Sequence, residues 1–161
     1  MKKSCVRCHD PHSSEEPKLL KAETTKLCVY CHTGISKGMD NPNNTVHAAV
    51  YMGCQDCHAP HGSNNGKLLK ENPNALCFTC HEAKGFENGH PKAGHPIAGK
   101  PDPLYPNREL SCISCHKPHF SPNPRMLRYD YKKPPYDGTI CTVCHWKQIL
   151  PPPAPPTPPW D

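Results

Sequence analysis

The sequence predicts a mostly irregular chain with short helices and few or no strands, rather than a domain with a conventional apolar core. Of the 161 residues, 35% are hydrophobic and 22 are Pro, which is unusual for a globular domain. No alternation of apolar and polar residues is long enough to predict a sheet. Because a domain of this length buries about two thirds of its unfolded surface, something other than side chains must supply the buried material.

Cysteine and histidine indicate what that material is, since the chain contains twelve of each. Every Cys belongs to a C-x-x-C pair, and His follows each pair directly. The six motifs are Cys5-Val-Arg-Cys8-His9, Cys28-Val-Tyr-Cys31-His32, Cys54-Gln-Asp-Cys57-His58, Cys77-Phe-Thr-Cys80-His81, Cys112-Ile-Ser-Cys115-His116 and Cys141-Thr-Val-Cys144-His145. This pattern is the attachment signature of c-type haem. Two thiols three positions apart can add to the vinyl groups of one porphyrin, and the next imidazole can bind its iron.

The sequence therefore predicts six covalently bound haem c groups, one for each of the six motifs. The proximal iron ligands, meaning the His of each motif, are His9, His32, His58, His81, His116 and His145. An even number of Cys also suggests disulfides, and paired C-x-x-C units can hold zinc. Neither alternative requires a His directly after every pair, so we favour haem.

Six more His remain for the opposite, distal faces of the six irons. They are His12, His47, His61, His90, His95 and His119. Methionine is the alternative distal ligand, and Met39, Met52 and Met126 are available. Because the spare His match the irons in number, we expect two His ligands on each iron. Such an iron has no open position for a substrate, so we assign no catalytic residue.

An internal repeat defines the organisation of the chain. Residues 5–32 and 54–81 align without a gap, as CVRCHDPHSSEEPKLLKAETTKLCVYCH over CQDCHAPHGSNNGKLLKENPNALCFTCH. A third copy begins at Cys112, where Lys117-Pro118-His119 matches Asp10-Pro11-His12 and Arg125-Met126-Leu127-Arg128 matches Lys67-Leu68-Leu69-Lys70. The prediction is one haem-cored domain with three two-haem modules. Its parts are module one at 1–32, a linker at 33–53 with His47, module two at 54–81, a linker at 82–111 with His90 and His95, module three at 112–145, and a Pro-rich tail at 146–161.

These modules resemble the doubled C-x-x-C-H family of multihaem cytochromes, whose modules read CxxCHxPH, a basic Leu-Leu segment and a second CxxCH. The resemblance implies that the chain wraps around a stacked array of six haems and transfers electrons rather than acting as an enzyme. It also implies that the xPH histidine binds the second haem of its own module. On that basis His12 would serve the Cys28/Cys31 haem, His61 the Cys77/Cys80 haem and His119 the Cys141/Cys144 haem.

The first haem of each module needs a ligand from elsewhere. His47 lies seven residues before Cys54 and suits the Cys54/Cys57 haem, while His90 or His95 suits the Cys112/Cys115 haem. The Cys5/Cys8 haem has no such neighbour, because only four residues precede it. The second linker holds one His more than its local haem requires. The ligand of the first haem must therefore come from far along the chain or from another molecule. We expect His90 or His95, with a slight preference for His90, to supply it, and we favour its coming from a neighbouring subunit.

Short helical turns are expected at Lys18 to Lys26, His47 to Cys57 and Asn74 to Cys80, separated by Pro and Gly. The tail from Pro151 to Asp161 is typical of an extended polyproline II helix. The polypeptide carries a charge of +5, but it has no motif for reading nucleic acid and no apolar run long enough to span a membrane.

Haem c is attached outside the cytoplasm, so a periplasmic or extracellular location is expected. No apolar signal segment precedes Cys5, which indicates a mature or trimmed chain. Among electron-transfer proteins, the first haem without a local ligand and the extra His of the second linker favour a subunit of a head-to-tail extracellular filament. Such a filament has an open, heterologous interface and exchanges electrons with redox partner proteins or extracellular acceptors. A soluble periplasmic carrier or a subunit of a larger complex is the alternative, and a multihaem reductase is disfavoured.

Overall fold

The computed structural model describes residues 4–82, 85–86, 89–90, 94–129 and 140–145. Its helices are α1 (Thr24–Cys31), α2 (Thr33–Asp40), α3 (Cys54–Cys57), α4 (Pro73–Phe78), α5 (Cys112–Cys115) and α6 (Ile140–His145). Its strands are β1 (Thr45–Val46), β2 (Pro101–Asp102), β3 (Tyr105–Glu109) and β4 (Phe120–Ser121). Short 3₁₀ turns occur at Cys5–Arg7, Pro17–Leu19, Ala48–Tyr51, Gly66–Leu68 and Pro124–Met126. The expected polyproline tail lies outside the described residues.

Each module contains the same hydrogen-bonded loop between its first motif and its basic segment. In module two, the Ala59 N–H donates to the Leu68 carbonyl (2.7 Å) and the Lys70 N–H donates to the Cys57 carbonyl (3.0 Å). The equivalent bonds run from Asp10 to Leu19, Lys21 to Cys8, Lys117 to Met126 and Arg128 to Cys115. The alignment of the three copies at their first motifs and basic segments is therefore confirmed.

A serine inside each loop fixes its shape. Ser121 has no exposed surface, and its hydroxyl donates to the Leu127 carbonyl (2.6 Å) while accepting from the Asn123 N–H (3.0 Å). Ser14 and Ser63 make the same two kinds of bond in the other modules. Because a buried carbonyl without a partner is costly, these hydroxyls stabilise the loop that carries the xPH histidine.

The second motif of modules one and two lies at the end of a capped helix. The Glu23 carboxylate accepts from the N–H groups of Thr25 (2.8 Å) and Lys26 (3.1 Å), which begins α1. The Asn72 side chain begins α4 in the same way, with a proline at the first helical position. Helix α1 starts later than the expected Lys18, because Lys18 and Leu19 adopt positive φ angles that an α-helix excludes.

Helical structure is also present at the other two expected places. Between His47 and Cys57 it consists of the 3₁₀ turn Ala48–Tyr51 followed by α3, and near Asn74 to Cys80 it is α4. Two antiparallel two-stranded sheets occur, pairing β1 with β4 and β2 with β3. The first sheet attaches the linker before module two to module three, and next to it the His47 N–H donates to the His119 carbonyl (3.0 Å).

The described residues form almost no apolar core. Leu110 is the one hydrophobic side chain among them that is buried, at 5% exposed, while Tyr30 is 83% and Met52 72% exposed. A polypeptide with so little buried apolar surface does not reach the stability of an ordinary domain by itself. The fold class is therefore confirmed as mostly irregular, with short helices and very small sheets.

Candidate functional site

The motif cysteines lie on single helical turns, which brings the two thiols of a pair to one side. In α3 the His58 N–H donates to the Cys54 carbonyl (3.0 Å), and in α5 the His116 N–H donates to the Cys112 carbonyl (2.9 Å). Residues three positions apart on a helix are neighbours on its surface. Each described motif can therefore present two thiols and the following imidazole to one flat group.

Consecutive modules meet through their motif cysteines. The second motif of module one touches the first motif of module two, where the Cys28 and Cys54 thiols are hydrogen-bonded. Burial raises the pKa of Cys28 to about 11, and the charge of Cys54 adds to this shift. The Cys77 and Cys112 thiols are joined in the same way between modules two and three. That hydrogen bond lowers the pKa of Cys112, because Cys77 donates to its thiolate.

Cysteines of the two motifs within a module are also close. Burial raises the pKa of Cys57, and the charges of Asp56 and Cys80 raise it further. Burial likewise raises the pKa of Cys115, to which the charges of Asp102 and Cys141 contribute. Together with the contacts between modules, these proximities place each motif beside the next one in sequence order.

Ten of the twelve His rings form five opposed pairs, and each pair joins one motif His to one other His. The pairs, with the distance between ring centres, are His9–His61 (5.9 Å), His47–His81 (6.0 Å), His58–His119 (6.0 Å), His90–His116 (6.4 Å) and His95–His145 (6.1 Å). The ring planes are within 17° to 29° of parallel in the first four pairs and at 81° in the last.

These separations fit a metal ion held between two imidazoles. Each metal–nitrogen bond is about 2 Å long, and half a ring lies beyond each nitrogen, so ring centres about 6 Å apart are expected. No described pair joins two motif His or two non-motif His. Accidental ring contacts would not all join one motif His to one other His. The donor set thus fits a haem iron with a proximal and a distal His.

Two His rings have no opposed partner among the described residues, and they are His12 and His32. The His12 backbone N–H donates to the Asp10 carboxylate (3.0 Å), and its side chain is exposed. His32 is also exposed. Its charge contributes to the lowered pKa of His119, after burial and the charges of His58 and His47, so His32 lies near that cluster. One proximal and one distal candidate are therefore left over.

The first proximal His of each module is fixed by a backbone carbonyl. The distance from the ring Nδ1 to the backbone carbonyl oxygen is 2.8 Å for His9 and Lys18, 3.0 Å for His58 and Lys67, and 2.9 Å for His116 and Arg125. A carbonyl only accepts hydrogen bonds, so Nδ1 carries the proton and Nε2 is left free for a metal.

Comparison with family models matches three segments, residues 1–37, 47–86 and 105–149, to the doubled CXXCH motif. The chain belongs to the doubled CXXCH motif family. It is thus a multihaem c-type cytochrome with covalently bound haem c and a role in electron transfer. A search of curated proteins gave no match. No helix in the described part of this cytochrome combines the length and apolar character needed to cross a membrane.

The ring pairs differ from those expected within this cytochrome. The xPH histidines His61 and His119 face His9 and His58, which belong to the first motif of the preceding module. The expected partners were His81 and His145. The ring contacts differ from the expected pairing because each module packs its first motif against the second motif of the module before it, and its xPH segment reaches back to that module.

The linker histidines also differ in part from the expectation. His47 faces His81 rather than His58. The adjacent β1–β4 sheet joins this linker to module three, whose His119 faces His58 instead. The expectation that His90 or His95 suits the Cys112/Cys115 haem agrees with the His90–His116 pair. His95 faces His145. The Cys5/Cys8 motif is not the one left over, since His9 already faces His61 within the chain.

Sequence reasoning missed the groups that support the ligands. Asp102, only 3% exposed, accepts from the Ser114 hydroxyl (2.7 Å) in α5, and Asn74 joins α4 to α5 by accepting from the Cys112 N–H (2.8 Å). Asp102 lies outside the repeat, and Asn74 aligns with Thr25 of module one, so neither side chain recurs between modules. The carbonyls that fix the proximal His could have been noticed, because the basic Leu-Leu segment recurs in all three modules.

Proposed function

We propose that the chain carries six haem c groups and conducts electrons along them in sequence order. The observation that carries this proposal is the set of five opposed His pairs, each built from one motif His and one other His. The twelve motif cysteines would hold the porphyrins through thioether bonds. When bound, haem supplies one-electron redox chemistry. The chain would hold each porphyrin in place, and the paired His would bind its iron.

The order of the motifs supports conduction. Each motif lies beside the next, through the Cys28–Cys54 and Cys77–Cys112 contacts between modules and the Cys57–Cys80 proximity within a module. Porphyrins attached to neighbouring thiols lie close together, and close redox groups exchange electrons quickly. The shortage of buried apolar side chains supports the same arrangement, because stacked haems would supply the missing core.

The first experiment measures cofactor number and ligation. Intact mass should exceed the polypeptide by six haems, and the pyridine haemochrome spectrum should be that of thioether-linked haem. Low-spin ferric spectra are expected for the five paired irons. His61→Ala should make one additional iron high-spin, because it removes the ring opposite His9. Fewer than six haems, or a spectrum unchanged by this substitution, would contradict the proposal.

We also propose that copies of the chain assemble into an extracellular filament. The support is the leftover pair: His12 is a preformed xPH ligand with no opposed ring in the described chain, and His32 is a proximal ligand with none. His12 of one copy can complete the His32 iron of another. We assign the bridging role to His12 rather than to the expected His90, because the His90 ring faces His116. Periplasmic or extracellular placement belongs to the same proposal, since haem c is attached outside the cytoplasm.

The assembly proposal is tested by replacing His12 and comparing with a distal His inside the chain. His12→Ala should shorten or abolish polymers seen by electron microscopy and should open one iron per copy. His95→Ala is the matched control, because it opens an iron without touching the proposed junction. Closed dimers in place of polymers would show a two-fold exchange of His12. A wild-type protein that is monomeric with all irons low-spin would refute the assembly.

The lack of a ring opposite His32 among the described residues favours a second candidate function. If His32 keeps no second ligand in solution, its iron has an open position at which a small molecule can bind and be reduced, as in multihaem reductases. Cyanide or nitrite added to the resting wild-type protein distinguishes the two. Binding at one iron, lost on His32→Ala but unaffected by His12→Ala, would support the reductase. The absence of binding would support the conduit.

A further inference from the structure

Three backbone segments of the structure adopt an unfavourable conformation that recurs once per module. Lys18 and Leu19 have φ angles of 59° and 57°, Lys67 and Leu68 both have 57°, and Arg125 and Met126 have 57° and 60°. Residues with a side chain rarely adopt this left-handed region, and two in succession are rarer still. Strain of this kind persists where the surrounding structure requires it, often at a functional site.

Each strained segment provides one backbone carbonyl that binds a proximal His. The carbonyls of Lys18, Lys67 and Arg125 accept the Nδ1–H of the proximal His in the first motif of their module. Each of those His residues is half-buried. In the second motifs of modules one and two, His32 and His81 are exposed, and no carbonyl of the described residues accepts from their rings. Within the described residues, the two proximal His of module one have different surroundings, and so do those of module two.

A fixed acceptor on Nδ1–H makes the imidazole a stronger donor to iron. The stronger donor stabilises ferric iron more than ferrous iron, so it lowers the reduction potential. Water can accept a hydrogen bond from an exposed ring, but it does so without a fixed orientation. We propose that Lys18, Lys67 and Arg125 are positioning residues, whose backbone carbonyls give the first haem of each module a lower reduction potential than the second haem of modules one and two.

This inference rests on the proposed haem content and extends it to the reduction potentials of the individual haems. Along the chain, the potentials would alternate from low to high through the first four haems. With haem bound, each transfer would move one electron from a reduced group to an oxidised neighbour, and no bond or proton would change place. The sixth haem is outside the comparison, because its distal candidate His95 also has Nδ1 2.9 Å from a carbonyl oxygen, that of Pro96.

The inference is tested by a pair of substitutions at Lys67. Lys67→Val introduces a β-branched residue that disfavours positive φ, so the carbonyl should turn away from His58. Lys67→Gly is the matched control, because it removes the same charged side chain but adopts positive φ without strain. The comparison of the two variants isolates backbone conformation from charge.

The readouts are the reduction potentials of individual haems, followed by NMR during a redox titration, and the exchange rate of the His58 Nδ1–H. In Lys67→Val we expect this proton to exchange faster. We also expect the preference of one haem for ferric iron to fall about tenfold, which raises its reduction potential by about 59 mV for one electron. Lys67→Gly should behave like the wild type. Equal shifts in both variants, or no shift in either, would overturn the inference.

A measurement on the wild-type holoprotein covers the case in which Lys67→Val fails to fold. The haems whose proximal Nδ1–H exchanges slowly should be those reduced at lower potential, and the opposite order would overturn the inference. Failure of the inference is distinguishable from failure of the proposed function. A mass below six haems refutes the haem content, whereas six haems with equal potentials refute only the role of the carbonyls.

Discussion

Gly38 provides a sharp test of the structure because its helix also contains a matched control. Gly38 is buried in α2 beneath Phe120 of β4, and a Cβ added there would overlap the Phe120 ring. Gly34 lies in the same helix, is exposed, and has nothing within 4 Å of such a Cβ. Gly38→Ala should destabilise the protein by about 1 to 3 kcal/mol, the usual cost of overpacking. Gly34→Ala should stabilise it by about 0.5 to 1 kcal/mol, because alanine is the better helix former.

The assay is reversible unfolding of the holoprotein in guanidinium chloride, followed by the haem absorption band. Phe120 directly follows His119, whose ring faces His58, so Gly38→Ala should also weaken this pair and give partial high-spin character at one iron. In a double-mutant cycle, Phe120→Leu should remove most of the penalty of Gly38→Ala. If the two glycine substitutions have equal effects, the packing of α2 on β4 is wrong.

Three further outcomes follow from the structure. The His95–His145 planes are at 81°, whereas the other pairs are near parallel, so electron paramagnetic resonance should show one low-spin haem with unusually large anisotropy that His95→Ala removes. Ser121→Ala should cost about 1 kcal/mol of unfolding free energy, because it removes a buried hydroxyl with two hydrogen bonds. Asn74→Ala should cost about 1 to 3 kcal/mol of unfolding free energy and loosen the contact of α4 with α5. The reason is that the Asn74 side chain donates to the Ile97 carbonyl and accepts from the Cys112 N–H. Hydrogen exchange at the Cys112 N–H would measure the loosening.

The amino-acid sequence by itself determined the chemistry of attachment and the repeat. Each C-x-x-C-H motif acts within one helical turn, so the spacing of five residues is sufficient to identify it. The same is true of the module loop, whose hydrogen bonds span about ten residues and recur at aligned positions. The lack of an apolar core and of long strands among the described residues was also predictable, because composition and periodicity report on them directly.

Only the tertiary structure decided which His faces which. His9 and His61 belong to different modules, as do His58 and His119, and no local pattern relates them. Their meeting depends on contacts between modules, such as the Cys28–Cys54 contact and the β1–β4 sheet, which connect positions far apart in sequence. The family resemblance suggested pairs within a module, and the packing produced pairs between modules. Attachment is a property of adjacent residues, whereas axial pairing depends on how whole modules pack, so the first could be predicted from the sequence and the second could not.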